Sequence, residues 1–256
     1  MARSFRLFWR LAAPLALLAV PVLTGCAKDK SPTKPVVSSG TRAVQTKVRF
    51  GNGDPARDVL VSLTQRLLPL GSTDPGFFLQ VFESDSAGDV RFTDVPPGGF
   101  GVYADVGFDS LAVGTTLDLA AVPSPPDTIL PPLTLVRACV AKGRALRSAG
   151  SDHSGIIVLL DGLLVAETTA RDGSYRLTAV PPGTWNLLAI DSTGYATASV
   201  ALASPGDSVA LADITIGPIA LFAPAVVERA AALARRTAAA RAHPGGRRPF
   251  RSAGHE

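Results

Sequence analysis

Hydrophobic positions follow three patterns along the chain. Leu11 to Leu23 is a nearly continuous apolar run behind Arg3, Arg6 and Arg10. From residue 43 to residue 217, short apolar stretches alternate with polar residues in steps of two and stop at Gly or Pro. Beyond Pro224 the chain becomes alanine-rich, with helical spacing. In the middle region Tyr175 and Leu177 alternate with Ser174 and Arg176, which predicts a strand with one buried face. Trp185, Leu187 and Ala189 occupy one side of the next strand. The runs Val59–Leu63 and Ile156–Leu160 predict earlier strands, and closing strands are expected near 128–135 and 209–216. Short strands at this spacing, with 24 Gly and 21 Pro, imply antiparallel β-sandwiches.

The pattern occurs twice. Gly88, Val90, Phe92 and Pro96-Pro97-Gly98 align with Gly173, Tyr175, Leu177 and Pro181-Pro182-Gly183 at a constant offset of 85 residues. Asp172-Gly173 predicts a tight hairpin, because Gly tolerates positive φ. Pro-Pro-Gly predicts a rigid turn that cannot continue a ladder. The stretch Thr169-Ala170-Arg171-Asp172-Gly173-Ser174-Tyr175-Arg176-Leu177, then Val180-Pro181-Pro182-Gly183-Thr184-Trp185 and Gly194-Tyr195, resembles the carboxypeptidase regulatory-like domain. The resemblance covers residues 136–217 strongly and 43–135 more weakly, where a longer first connection runs from Arg66 to Phe82. It implies a transthyretin-like (prealbumin-like) sandwich, near the carbohydrate-binding-like folds, and an extracellular accessory role without peptidase activity. Related surface sandwiches carry internal isopeptide links, whose acid would fall on Ala104 and Ala189. Both copies lack it, so Lys47 and Lys142 are expected to be ordinary lysines.

The N-terminal run has the positive flank, length and small-residue end of a secretory signal, and Pro14 and Pro21 interrupt it. Leu23-Thr24-Gly25-Cys26 resembles a bacterial lipobox, which implies signal recognition by Leu23, Thr24 and Gly25 and acylation of Cys26. Several acyl chains anchor stably where one chain is marginal. Ala27 after the cysteine favours an outer-membrane address in a Gram-negative envelope. Lys28 to Thr41, rich in Pro, Ser and Lys, reads as an exposed tether. An ordinary signal peptide with a chance cysteine is the alternative.

Charge sharpens this division. The net +4 consists of +3 before residue 26, +5 after residue 224 and −4 between them. A uniformly basic surface for nucleic acid is therefore not supported. Of three histidines, only His153 lies in the body, and the zinc-binding spacings are absent, so no metal or cofactor is expected. Ser151, Asp152 and His153 share one loop, a poor arrangement for a catalytic triad. Cys139 is expected to be a buried, inert thiol. Phe77 and Phe78 are the candidate aromatic contacts for a ligand, the alternative being that their hairpin folds back and buries one of them. In the tail, Val226, Ala230, Leu233 and Thr237 share a weak helical face. Either a basic arm that meets anionic lipid, glycan or a partner, or a solvated extension, fits that composition.

These readings give an all-β protein of two tandem antiparallel sandwiches between a signal and a helical or disordered tail. The expected organisation is 1–25 signal peptide, 26–42 lipidated tether, 43–135 and 136–221 sandwiches, and 222–256 Ala/Arg-rich tail. The expected function is a non-catalytic envelope lipoprotein whose domains serve as spacer and binding or assembly modules. Its partners would be membrane lipid through Cys26, and an envelope protein or a glycan. A carbohydrate-binding accessory protein is the alternative, and an envelope hydrolase component the third.

Overall fold

Alternating sequence becomes strand throughout the body of the protein. The computed structural model describes residues 40–67, 78–107, 110–122, 125–218 and 224–242. The first copy supplies β1 (Arg42–Arg49), β2 (Leu60–Gln65), β3 (Leu79–Glu83), β4 (Asp89–Val95), β5 (Gly98–Val106), β6 (Leu111–Leu119), β7 (Thr128–Ile129) and β8 (Leu133–Thr134). After the short β9 (Val136–Arg137), the second supplies β10 (Cys139–Arg147), β11 (Ile157–Leu160), β12 (Ala166–Thr168), β13 (Ser174–Val180), β14 (Gly183–Ile190), β15 (Gly194–Leu202), β16 (Ser208–Ala210) and β17 (Ile214–Pro218). One helix, α1 (Pro224–Ala242), follows.

Each copy is a two-layered β-sandwich. In the first, the sheet β4-β1-β7, with β8 further along β1, faces the sheet β3-β2-β5-β6-β9. Val44, Val61, Leu63, Phe92, Phe100 and Val102 fill the space between them. In the second, β13-β10-β16 and β12-β11-β14-β15 correspond to those layers, and β17 joins them by pairing with both β10 and β15. Its core contains Ala141, Val158, Leu160, Leu177, Trp185, Leu187 and Ala189. Most ladders are antiparallel, but the closing strands β7, β8, β16 and β17 run parallel to the first strand of their copy.

The repeat extends to backbone detail. Gly88 (φ 77°) and Gly173 (φ 82°) occupy the same turn. A Cβ on Gly88 would lie 2.3 Å from the Val48 carbonyl oxygen, and one on Gly173 2.6 Å from that of Ala145. Glycine is thus required twice over, by conformation and by close approach. The Asp172-Gly173 turn closes tightly, with the Gly173 amide donating to the Ala170 carbonyl and the Ala170 amide to the Ser174 carbonyl, each at 2.9 Å. The flanking strands then diverge into different layers, where β12 pairs with β11 and β13 with β10. Alternation specifies which face of a strand is buried, not which neighbour it pairs with. Pro-Pro-Gly makes the next crossing, from β13 to β14. Just before it, Asp94 (φ 54°) and Ala179 (φ 56°) hold the same left-handed conformation, beside matching register shifts in β1 and β10.

The outer face of β11 and β14 is also apolar, and α1 covers it. Ala230 and Leu233 are buried against Ile157, Leu159, Leu188 and Ile190. This explains the unbroken run Ile156–Leu160: Ile156, Val158 and Leu160 enter the sandwich core while Ile157 and Leu159 meet the helix. Thr237 completes the buried helical face and donates to the Leu233 carbonyl at 3.0 Å. A solvated extension therefore does not describe residues 224–242. Small alanine side chains let the helix approach a sheet closely despite their weak hydrophobic contribution. Residues 243–256 lie outside the described part.

Candidate functional site

The two copies dock along a strip of small side chains. On the outer face of β2, β5 and β6, register places Thr64 opposite Gly101, and Tyr103 between Ser62 and Gly114. All three polar residues of this strip are buried. A Cβ on Gly101 would lie 2.0 Å from the carbonyl oxygen of Gly162, so the two backbones touch where no side chain fits. Gly114 receives Pro181 and the Trp185 ring, at 2.9 and 3.1 Å from an added Cβ. Tyr103 Oη donates to the carbonyl of Ala179 at 2.9 Å, using the acceptor exposed by the left-handed bulge. The Leu67 amide donates to Asp161 Oδ1 at 2.6 Å. Tyr103 and Ala112 thereby join the core of the second sandwich.

A second feature is a cleft of about 660 Å³ in the second sandwich. Strands β10 and β13 contribute Lys142, Gly143, Arg144, Ser174, Tyr175 and Arg176 to its lining. Glu167, Thr168 and Ala170 border it on the β12 side, and Ala210, Leu211 and Asp213 on the β16–β17 side. Tyr175 lies across Gly143, where a Cβ would be only 2.8 Å from the phenol oxygen. The residue is 5% exposed, yet its hydroxyl has no hydrogen-bond partner among the described residues. Burial first, and the charge of Asp213 second, push its pKa up to about 12, so the phenol stays protonated. Arg144 donates to the Asp172 carbonyl at 3.1 Å and pairs with Asp213 at 3.4 Å.

A polar network closes one end of the same sandwich. Arg147 donates to Asp191 at 2.7 Å, to the Asp152 carbonyl at 2.7 Å and to the Ser154 carbonyl at 2.9 Å. Asp191 Oδ1 also accepts from the hydroxyl and amide of Thr193, each at 2.7 Å. Burial alone would raise the Asp191 pKa, but the Thr193 bonds and the Arg147 guanidinium outweigh it and hold the carboxyl below its ordinary value. His153 Nδ1 accepts from the Arg147 amide at 3.0 Å. Asp152 instead accepts from the hydroxyl and amide of Ser154, which lower its pKa. Asp152 thus serves its own turn, and His153 the strand beside it.

Phe78 is half-buried, its ring edge-on to Phe100 with centroids 5.6 Å apart, and its amide donates to Gln65. It belongs to the packing of the first sandwich rather than to an open aromatic platform. Phe77, and Leu23, Thr24, Gly25 and Cys26, lie outside the described residues. Cys139 is buried, with Sγ 3.3 Å from the Ser204 carbonyl oxygen. Lys47 pairs with Asp89 at 2.8 Å, and Ala104 and Ala189 are core residues. Among the described residues no group of three metal-ligating side chains occurs. Sequence reasoning placed Tyr175 in the core correctly but missed the cleft. Its signal was the tyrosine opposite a glycine, which appears only once the strands are paired.

No protein-family model matches the sequence. No curated protein matches it either. Among solved structures, it is similar to a minor pilin of Streptococcus agalactiae, at 13% identity and TM-score 0.31, over 72% of this chain and 99% of that one. It is similar to the shaft pilin SpaA of Lactobacillus rhamnosus at 8% identity and TM-score 0.27, over 72% and 100%. A putative carbohydrate-binding protein of Pseudomonas aeruginosa matches at 10% identity and TM-score 0.27, over 38% and 89%. Likeness at this level carries no argument about what the chain does.

Proposed function

We propose that this protein is a lipid-anchored, non-catalytic component of a bacterial cell envelope, whose paired sandwiches form a stiff spacer carrying a binding surface. The observation that supports it is the docked junction. Backbone contact at Gly101 and Gly162, with the Tyr103–Ala179 and Leu67–Asp161 hydrogen bonds, suits a body that holds a fixed shape at the end of a tether. The anchor is Cys26, in its lipobox-like setting of Leu23, Thr24 and Gly25, and the residues between it and β1 are the tether. An envelope protein or glycan is the partner, reached through loops or sheet edges. The other cysteine, Cys139, is buried, so acylation is readily attributed.

The test is metabolic labelling with a palmitate analogue in a bacterial host that processes lipoproteins. The full chain is expected to take up label and sediment with membranes, and Cys26→Ser to lose both properties. Label retained in Cys26→Ser would contradict the anchor.

A further inference from the structure

We infer that the arginine-rich C-terminal arm, from the solvent face of α1 to Arg251, docks on the anionic headgroups of the membrane that carries the lipid anchor, and so draws the second sandwich down onto the bilayer surface. The inference goes beyond the anchored-spacer reading and rests on that reading for its choice of partner.

Three observations carry it. First, charge is segregated along the chain. Residues 229–255 contain seven Arg and no Asp or Glu, whereas residues 26–224 have a net charge of −4. An anionic surface therefore repels the body and attracts the arm, which makes the contact directional. Arg247, Arg248 and Arg251 also flank Phe250, an apolar ring suited to the headgroup boundary.

Second, the packing of α1 decides which of its faces remains. Ala230 and Leu233 are buried against β11 and β14, and Thr237 is buried with them. Glu228, Arg235 and Arg236 are exposed. Neither Arg235 nor Arg236 has a hydrogen bond or ion pair among the described residues. Glu228 lies about 10 Å from Arg235 along the helix axis, at 1.5 Å per residue, too far to neutralise it directly. Because the apolar face is engaged by the sandwich, α1 is not free to insert as an amphipathic helix does. Among the described residues no helix is long and apolar enough to cross a membrane. What remains is a surface contact between guanidinium groups and lipid phosphates, of a kind that salt weakens.

Third, chain length lets both ends reach one surface. Arg235 and Arg236 lie in the last two turns of α1, at the end from which the arm leaves. Residues 243–251 follow α1, and residues 27–39 separate Cys26 from the described body. Fully extended, these stretches span up to roughly 30 and 45 Å, so the acyl anchor and the arm are satisfied together. An acidic protein or an anionic glycan offers negative charge as well. The anchor, however, holds the arm beside lipid headgroups at high effective concentration, and this selects the membrane.

The test reconstitutes the full acylated chain into vesicles of phosphatidylcholine, alone or with phosphatidylglycerol as roughly a third of the lipid. A dansyl-headgroup lipid in both accepts energy from tryptophan. Trp9 lies in the signal, so after cleavage Trp185 is the one donor. Transfer is expected to be greater in the anionic vesicles, and to fall to the neutral level in roughly 0.5 M salt, where the Debye length is about 4 Å. Arg235→Gln/Arg236→Gln should lower the docked-to-free ratio roughly tenfold, and Arg247→Gln/Arg248→Gln/Arg251→Gln about a hundredfold. The same positions changed to Lys should retain most of it. Since Arg235 and Arg236 are exposed, their substitution should leave thermal melting unchanged. Equal transfer in both kinds of vesicle, or transfer unchanged in both Gln variants, overturns the inference. So does transfer that survives high salt, which would mean insertion of the helix. Capture of an acidic protein or glycan by the arm, without a response to anionic lipid, would overturn it too. A chain that does not float with neutral vesicles would instead contradict the acyl anchor, and the anionic vesicles would still report on the arm.

Discussion

Gly101→Ala tests the junction at its tightest point. The added methyl would sit 2.0 Å from the Gly162 carbonyl oxygen and 2.6 Å from its carbonyl carbon, whereas ordinary contact begins near 3.4 Å. Both obstacles are backbone, so no rotamer change relieves them, and the halves must separate by more than about 1 Å. Such a separation would take the Tyr103–Ala179 bond, now 2.9 Å, out of hydrogen-bonding range. The Leu67–Asp161 bond, 2.6 Å, would weaken similarly. Losing a neutral bond costs about 1 kcal/mol and one to a carboxylate about 1.5–3 kcal/mol. With overpacking strain of about 1–3 kcal/mol, the expected destabilisation is about 3.5–7 kcal/mol. Urea unfolding of the full chain, read by tryptophan fluorescence, measures it: Trp185 packs on Gly114 at the same junction. Gly217→Ala is the control, since its Cβ would meet nothing within 4 Å. Equal midpoints for Gly101→Ala and the parent would refute the docked arrangement.

Other consequences are as specific. Thr64 is fully buried, and its hydroxyl is unpaired among the described residues, so Thr64→Val should raise stability by about 1 kcal/mol in thermal unfolding. Asp191 is expected to stabilise the fold fully above its ordinary pKa of 3.8, and to lose that contribution as pH falls through its lower folded value. Asp191→Asn should therefore lower the urea midpoint markedly at pH 7, and the gap to the parent should close well below pH 3.8. Leu233→Asp places a charge against Leu159, Leu188 and Ile190; it should detach α1, lower stability by about 3 kcal/mol and increase binding of a hydrophobic dye.

Strands, turns and repeat were legible because each depends on local order. Tyr175 and Leu177 alternate with polar residues, and the glycines that must hold positive φ recur 85 residues apart. The junction was not legible, because Ser62 and Thr64 read as the solvent side of an alternating strand and are polar for that reason in most sheets. Here that face is covered by the other copy, and only register brings Thr64 beside Gly101. The helix left a partial trace in Ile157 and Leu159, which a strand with one wet face would not carry. The cleft left less. Whether a buried hydroxyl has found a partner is a property of three dimensions, and Lys142 faces Arg176 only after pairing. Phe78 shows the converse: an aromatic in a loop looks available until its neighbour Phe100 is known.

The central claim is that both sandwiches form one stiff body. The Leu67 amide reports on it most directly, since the hydrogen bond it donates crosses the junction, to Asp161. Native-state hydrogen exchange on the full chain should show this amide protected to a degree comparable with the core amides of β14. Exchange at the rate of an open loop, with β14 still protected, would mean that the copies move independently and would contradict the account.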